Sequence, residues 1–281
     1  MSDIRLYNQT CLEINQLVTK RYSTSFSLGI RSLHKRFHDP IYAIYGFVRV
    51  ADEIVDSFHD FDKRSLLEAF RAETFKAIEL QISTNPVLQA FQLAVNEHRI
   101  DRHLVEAFLR SMEMDLDQSG HDAQSYAEYI YGSAEVVGLM CLRVFCKGDD
   151  QLYDSLVEPA RKLGEAFQKI NFLRDIQSDR DERGRIYFPG VESFEHFDQK
   201  AKAAIEADIQ KDFDAALLGI RRLDKDARLG VYLAYAYYLR LFRKIRQARP
   251  EQVLGRRFRV SNLSKLGILI ASRVRNALGV I

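Results

Sequence analysis

The chain has 281 residues, 47% hydrophobic and 28% charged, with only 14 Gly and 5 Pro. That is the composition of a soluble globular protein with a substantial core, and the scarcity of breakers and alternating runs argues against a β-rich fold. Net charge is only +2, yet residues 240–281 carry eleven Lys/Arg against Glu251 alone, leaving the rest of the chain acidic.

The N-terminal stretch MSDIRLYNQTCLEINQL has no apolar signal-peptide core, and no apolar run is expected to reach the ~20 residues that cross a bilayer. Cys11, Cys141 and Cys146 lack zinc-ligand spacing and fit a reduced compartment. A cytoplasmic location is expected, at most peripheral to the inner face of the membrane. Helices are expected over 3–20, 23–33, 39–57, 62–82, 86–98, 101–118, 124–147, 150–180, 199–222, 226–247 and 261–278. Asp39-Pro40 and Asn85-Pro86 each read as an N-cap followed by proline in the first turn. Residues 181–197, DERGRIYFPGVESFEHF, form the clearest loop. No repeat, linker or compositional break divides the chain, so a single all-α domain spanning 1–281 is expected.

Helix 39–57 has an inverted pattern. At 100° per residue, Tyr45, Arg49, Asp52 and Asp56 fall within about 60° of arc, while Ile44, Phe47, Val48, Val50, Ile54 and Val55 cover the rest. A surface helix carries one apolar stripe and a wide polar face. This one reads as a buried helix whose polar line faces a cavity. Helix 150–180 repeats the design with Gln168, Asn171, Asp175 and Asp179, and Arg174 lies to the side.

A lone D-x-x-x-D is commonly a solvated face. Two buried salt-bridge ladders would also account for the acids, but they need basic partners in the core and give no reason for the duplication. Two opposed acidic rows call for divalent cations instead. Mg²⁺ takes one or two carboxylates and fills its other positions with water and substrate phosphate oxygens. Neighbouring arginines and tyrosines would grip the phosphates left uncovered.

These residues resemble the phytoene synthase and squalene synthase family of head-to-head prenyl transferases, from about Lys20 to Arg259. RYSTSFSLGIRSL, AIYGFVRVADEIVD, YIYGSAEVVG and NFLRDIQSDRDERGRIYFP carry the resemblance, the last being the most specific. It implies a single helical domain, an isoprenoid-synthase-type bundle around a central apolar cavity. It further implies that Asp52, Asp56, Asn171, Asp175 and Asp179 hold Mg²⁺ (or Mn²⁺). Gln168 would assist, and Arg49, Tyr129, Arg174, Arg185, Tyr187 and Arg257 would contact prenyl diphosphate. Tyr45 would contact the diphosphate as well, and Phe26 would stand beside the reacting carbons, where a ring face stabilises a carbocation.

The family's reaction joins two prenyl diphosphates through a cyclopropylcarbinyl diphosphate. The pattern is nearest to bacterial phytoene synthases, which use two geranylgeranyl diphosphates. The C15 version would give squalene, with NADPH, or dehydrosqualene, without it. Glu135 stands where the family has a small glycine, and either narrows the tunnel or points away. The family's eukaryotic C-terminal membrane anchor has no counterpart in the sequence, which fits the soluble bacterial type.

Other patterns point elsewhere less well. The basic C-terminal region has no nucleic-acid-binding motif, and no nucleic-acid partner is expected. Residues 261–278, with Leu263, Leu266, Ile270, Val274 and Leu278 among cations, either dock on the bundle or rest transiently on a membrane. A di-iron site would want Glu-x-x-His pairs, which are absent. A non-catalytic helical scaffold would leave the full aspartate set unexplained. Asp115 and Asp117 read as a solvated helix end, with Asp115 bordering the cavity as the alternative. The sequence carries no signal for an oligomeric state.

Overall fold

The computed structural model describes residues 3–117, 123–179, 187–188, 191 and 194–281. Thirteen α-helices run in order among them: α1 (Asp3–Tyr22), α2 (Thr24–Arg31), α3 (His38–Asp56), α4 (Lys63–Leu80), α5 (Pro86–His98), α6 (Arg102–Asp117), α7 (Ala123–Ile130), α8 (Val136–Cys146), α9 (Asp150–Ser178), α10 (Gln199–Arg222), α11 (Lys225–Arg246), α12 (Pro250–Gly255) and α13 (Asn262–Ala277). No strand occurs among the described residues.

Most starts follow from side-chain caps. Asn85 accepts from the Val87 N–H at 3.0 Å ahead of Pro86, as its sequence predicts, and Asp149 accepts from the Leu152 N–H at 2.8 Å. The Asp39-Pro40 start is corrected. A 3₁₀ turn at Lys35–Phe37 runs directly into α3, which begins at His38 with no side-chain cap. Helix α12 was not foreseen, because six residues are too short to show a hydrophobic period.

Helices α7 and α8 form one continuous rod interrupted by a π-helical turn, Tyr131–Glu135, where the Val136 N–H reaches back to the Tyr131 carbonyl. Its span Gln124–Cys146 has a mean hydropathy of 1.3 and is long and apolar enough to cross a bilayer. The expectation that no segment reaches that length is therefore corrected. The rod packs against α6 and α9, so its apolarity serves the core. Gly164 of α9 permits this packing, since a Cβ there would lie 2.7 Å from the Ala134 carbonyl oxygen.

Pro159 sits inside α9, where it cannot donate to the Ser155 carbonyl. Arg222 of α10 takes over that role, donating to the Ser155 carbonyl at 3.0 Å and to its hydroxyl at 2.7 Å. Two apolar cores flank the centre. One gathers around Phe47, stacked 3.9 Å from Phe91, and joins α3 to α6 with α8. The other gathers around Phe213, Phe242 and Leu173 and joins α9, α10 and α11. A cavity lies between them, bordered by both.

Candidate active site

The cavity holds about 750 Å³, within the range of small-molecule sites. Much of its wall is apolar, from Ile44, Val48, Val137, Leu142 and Leu163 among others. Asp52 and Asp56 enter from α3, Asp175 and Asp179 from the end of α9, so the two predicted rows line one space. Tyr45, Arg49, Tyr129, Gln168, Asn171, Arg174, Tyr187, Arg257 and Phe26 line it too. Arg185 lies outside the described residues.

Crowded acids mark the site electrostatically. Burial first, and then the neighbouring Asp56 and Asp115 charges, push the Asp52 carboxyl up to about 7, against the pull of Arg49. Asp115 is a lining residue and accepts a 2.9 Å hydrogen bond from the Tyr129 hydroxyl. Of its two readings the one that borders the cavity holds, and the solvated helix end is corrected, while Asp117 is exposed and pairs with Arg64. Burial, with Asp115 nearby, holds the Tyr129 hydroxyl well above its usual range. Tyr129, Phe172 and Tyr187 form an aromatic wall, the last two stacked at 4.2 Å.

The cations stand among the acids. Arg174 Nε lies 3.0 Å from Asp175 Oδ1, and Arg257 Nε lies 2.8 Å from the same oxygen. Arg49 pairs with Glu53 and stacks 4.4 Å over the Tyr22 ring. Its buried Nε has no hydrogen-bond partner among the described residues, which suits a site for an incoming anion. Asn171 donates to Gln168 at 3.3 Å and accepts from the Tyr238 hydroxyl at 3.2 Å. Tyr238 was missed by sequence reasoning. It shares a helix face with Val231 and Ala234, both lining, but α11 has other tyrosines and the spacing alone does not choose among them. Phe26, 39% exposed, stands 5.6 Å from Tyr45 at the rim.

Glu135 does not line the cavity. Its carboxylate turns away to Arg161, which settles the question its sequence position left open. A second acidic group, Glu165, Asp208 and Asp212, lies between α9 and α10 and outside the cavity lining. The Lys169 ammonium pairs with all three and Lys162 with Glu165 and Asp212, so that group already has its cations within the protein. The lining aspartates fit a divalent cation better, since all the donors are hard oxygens and Asp52 has an excess of negative neighbours.

The chain matches the squalene/phytoene synthase family over residues 19–264. It is 28% identical to a 4,4'-diapophytoene synthase of Staphylococcus haemolyticus over 67% of this chain and 64% of that protein. It is 24% identical to a 15-cis-phytoene synthase of Paracoccus sp. over 88% of this chain and 86% of that protein. Its fold matches a crystal structure of a dehydrosqualene synthase with a TM-score of 0.81 at 23% identity, covering 96% of this chain and 98% of that one.

Proposed function

The chain belongs to the squalene/phytoene synthase family, and we propose that it joins two geranylgeranyl diphosphates head to head into phytoene. The observation that carries this reading is that both acidic rows and three arginines line one cavity together with many apolar side chains. Asp52, Asp56, Asn171, Asp175 and Asp179 are the residues that would hold Mg²⁺, with Mn²⁺ as a substitute. That ion neutralises the charge of the leaving diphosphate when bound.

The chain's own groups do the rest. Arg49, Arg174 and Arg257 hold diphosphate oxygens through charge-assisted hydrogen bonds. Phe26, whose ring lies 5.6 Å from that of Tyr45, would offer its face to an allylic cation. The second prenyl double bond captures that cation, and loss of a proton to the released diphosphate closes the ring of a cyclopropylcarbinyl diphosphate. A second ionisation and rearrangement give the 1–1′ product, and loss of a proton leaves its central double bond. The apolar walls exclude the water that would quench either cation.

A C15 reading, in which farnesyl diphosphate gives dehydrosqualene, or squalene with NADPH, is favoured by the similarity to the diapophytoene synthase. One experiment separates the readings. Purified protein is incubated with C15 or C20 prenyl diphosphate and Mg²⁺, with and without NADPH, and the hydrocarbons are identified. Phytoene from the C20 substrate, unaffected by NADPH, is expected. Product from the C15 substrate alone would replace the C20 assignment, and no hydrocarbon from either would remove the head-to-head reading.

A further inference from the structure

Helix α13 leaves a continuous apolar face uncovered. Leu263, Leu266, Ile270, Val274 and Leu278 are each more than half exposed, led by Leu263 at 83%. At 100° per residue they fall within about 120° of arc. On the other side of the helix, Ser272 is buried and Ile268 packs against the core, so the helix is docked by one face and bare on the opposite one. Exposed Arg273 and Arg275 flank the bare face, Arg275 also donating to the Tyr232 hydroxyl at 2.7 Å. Arg256 and Arg259 are exposed in the segment leading into the helix.

We propose that this face of α13 docks on an anionic phospholipid bilayer. An apolar stripe edged by arginines is the composition of a helix that lies in the plane of a lipid interface. Its charge is complementary to anionic headgroups. A second copy of the chain fits less well, because two-fold pairing of this face would set the same arginines against one another. The helix also adjoins the active site. A narrow apolar groove of about 20 Å³ between α2, α11 and α13 includes Lys265 and Ile268, and it shares Phe26, Ala234 and Tyr238 with the main cavity. The docking surface stands apart from the proposed reaction. Only its use as a route for a hydrocarbon product rests on that reading.

Cosedimentation with vesicles tests the surface without turnover, so its failure is distinct from failure of the proposed reaction. The full chain is mixed with vesicles of phosphatidylglycerol and phosphatidylcholine, or of phosphatidylcholine alone, at low and high salt. Sedimentation with the anionic vesicles is expected, weakened by salt. A Leu266→Glu, Ile270→Glu variant should lose about tenfold or more of that binding. A milder Arg259→Glu, Arg273→Glu variant should lose binding to anionic vesicles with its apolar stripe intact. Circular dichroism melting confirms that both variants are folded. Absence of binding to anionic vesicles, or equal binding by the wild type and both variants, overturns the proposal. So does a dimer in sedimentation velocity that Ile270→Glu dissociates while no vesicle binding is seen.

Discussion

Arg257 Nε lies 2.8 Å from Asp175 Oδ1, joining the segment after α12 to the acidic end of α9. Arg174 reaches the same carboxylate from within α9, so Asp175 has two guanidinium partners on the cavity wall. A diphosphate arriving there meets cations already in place.

Arg257→Ala should therefore weaken binding of inorganic diphosphate by about tenfold, the loss of one charge-assisted contact. Titration calorimetry in the presence of Mg²⁺ reads this directly. Equal affinity in the variant would place Arg257 outside the binding site and leave it as a partner of Asp175 only.

The raised Asp52 carboxyl gives a pH dependence whose sign can be worked out. In the folded protein this group keeps its proton up to about 7, whereas an unfolded aspartate loses it in the ordinary carboxylate range. Its contribution is thus unfavourable to stability, and grows as pH rises from that range through about 7. Under chelation, the melting temperature should carry a falling component across this window, which Asp52→Asn removes. Affinity for Mn²⁺ should rise over the same window, since a ligating carboxylate must be ionised. A pH-independent Mn²⁺ affinity would exclude Asp52 as a ligand.

Asp52→Asn and Asp175→Asn should each lower turnover by about 10²–10³-fold or more, by removing charge from where the leaving group is held. Far-UV circular dichroism should be unchanged, because neither side chain packs in the two apolar cores. Full activity in both variants would mean that the acidic rows do not take part in the chemistry.

Lys169 makes a different kind of prediction. Its side chain is buried and its ammonium pairs with Glu165, Asp208 and Asp212. Burial alone would lower its pKa, but these hydrogen bonds more than offset that and raise it. Lys169→Met should cost about 1–3 kcal/mol, because the buried Asp212 and its neighbour Glu165 are left to share Lys162 alone. Urea unfolding measures the loss, and lower pH should recover part of it as the carboxyls protonate. A variant as stable as the wild type would show that solvent already neutralises the acids.

Both acidic rows were legible because aspartates at i, i+4 on an otherwise apolar helix cannot be buried without a cationic receiver. The same logic failed for Asp115, which follows Met112, Glu113 and Met114 on a helix with an ordinary polar face, so nothing in its spacing separates it from a solvated acid. Tyr238 was hidden among the tyrosines of α11, and only packing against Phe167 at 3.9 Å and the bond to Asn171 single it out. Glu135 could be read either way until Arg161 appeared beside it. Arg161 is 26 residues away in sequence, beyond any local pattern.

The wider winding at Tyr131–Glu135 has a consequence for how this rod tolerates change. Tyr129, Ser133, Val137, Cys141 and Phe145 all border the cavity at intervals of four, a repeat longer than the 3.6 residues of an ordinary turn. A regular helix would drift away from the pocket along that length, and the broad turn takes up part of the drift. Deleting a single residue there would restore regular α-winding and improve the local hydrogen bonding. Because the broad turn absorbs one extra residue, the two flanking halves would keep their facing, and the change would fall on Ser133 and Ala134, which border the cavity within the turn itself.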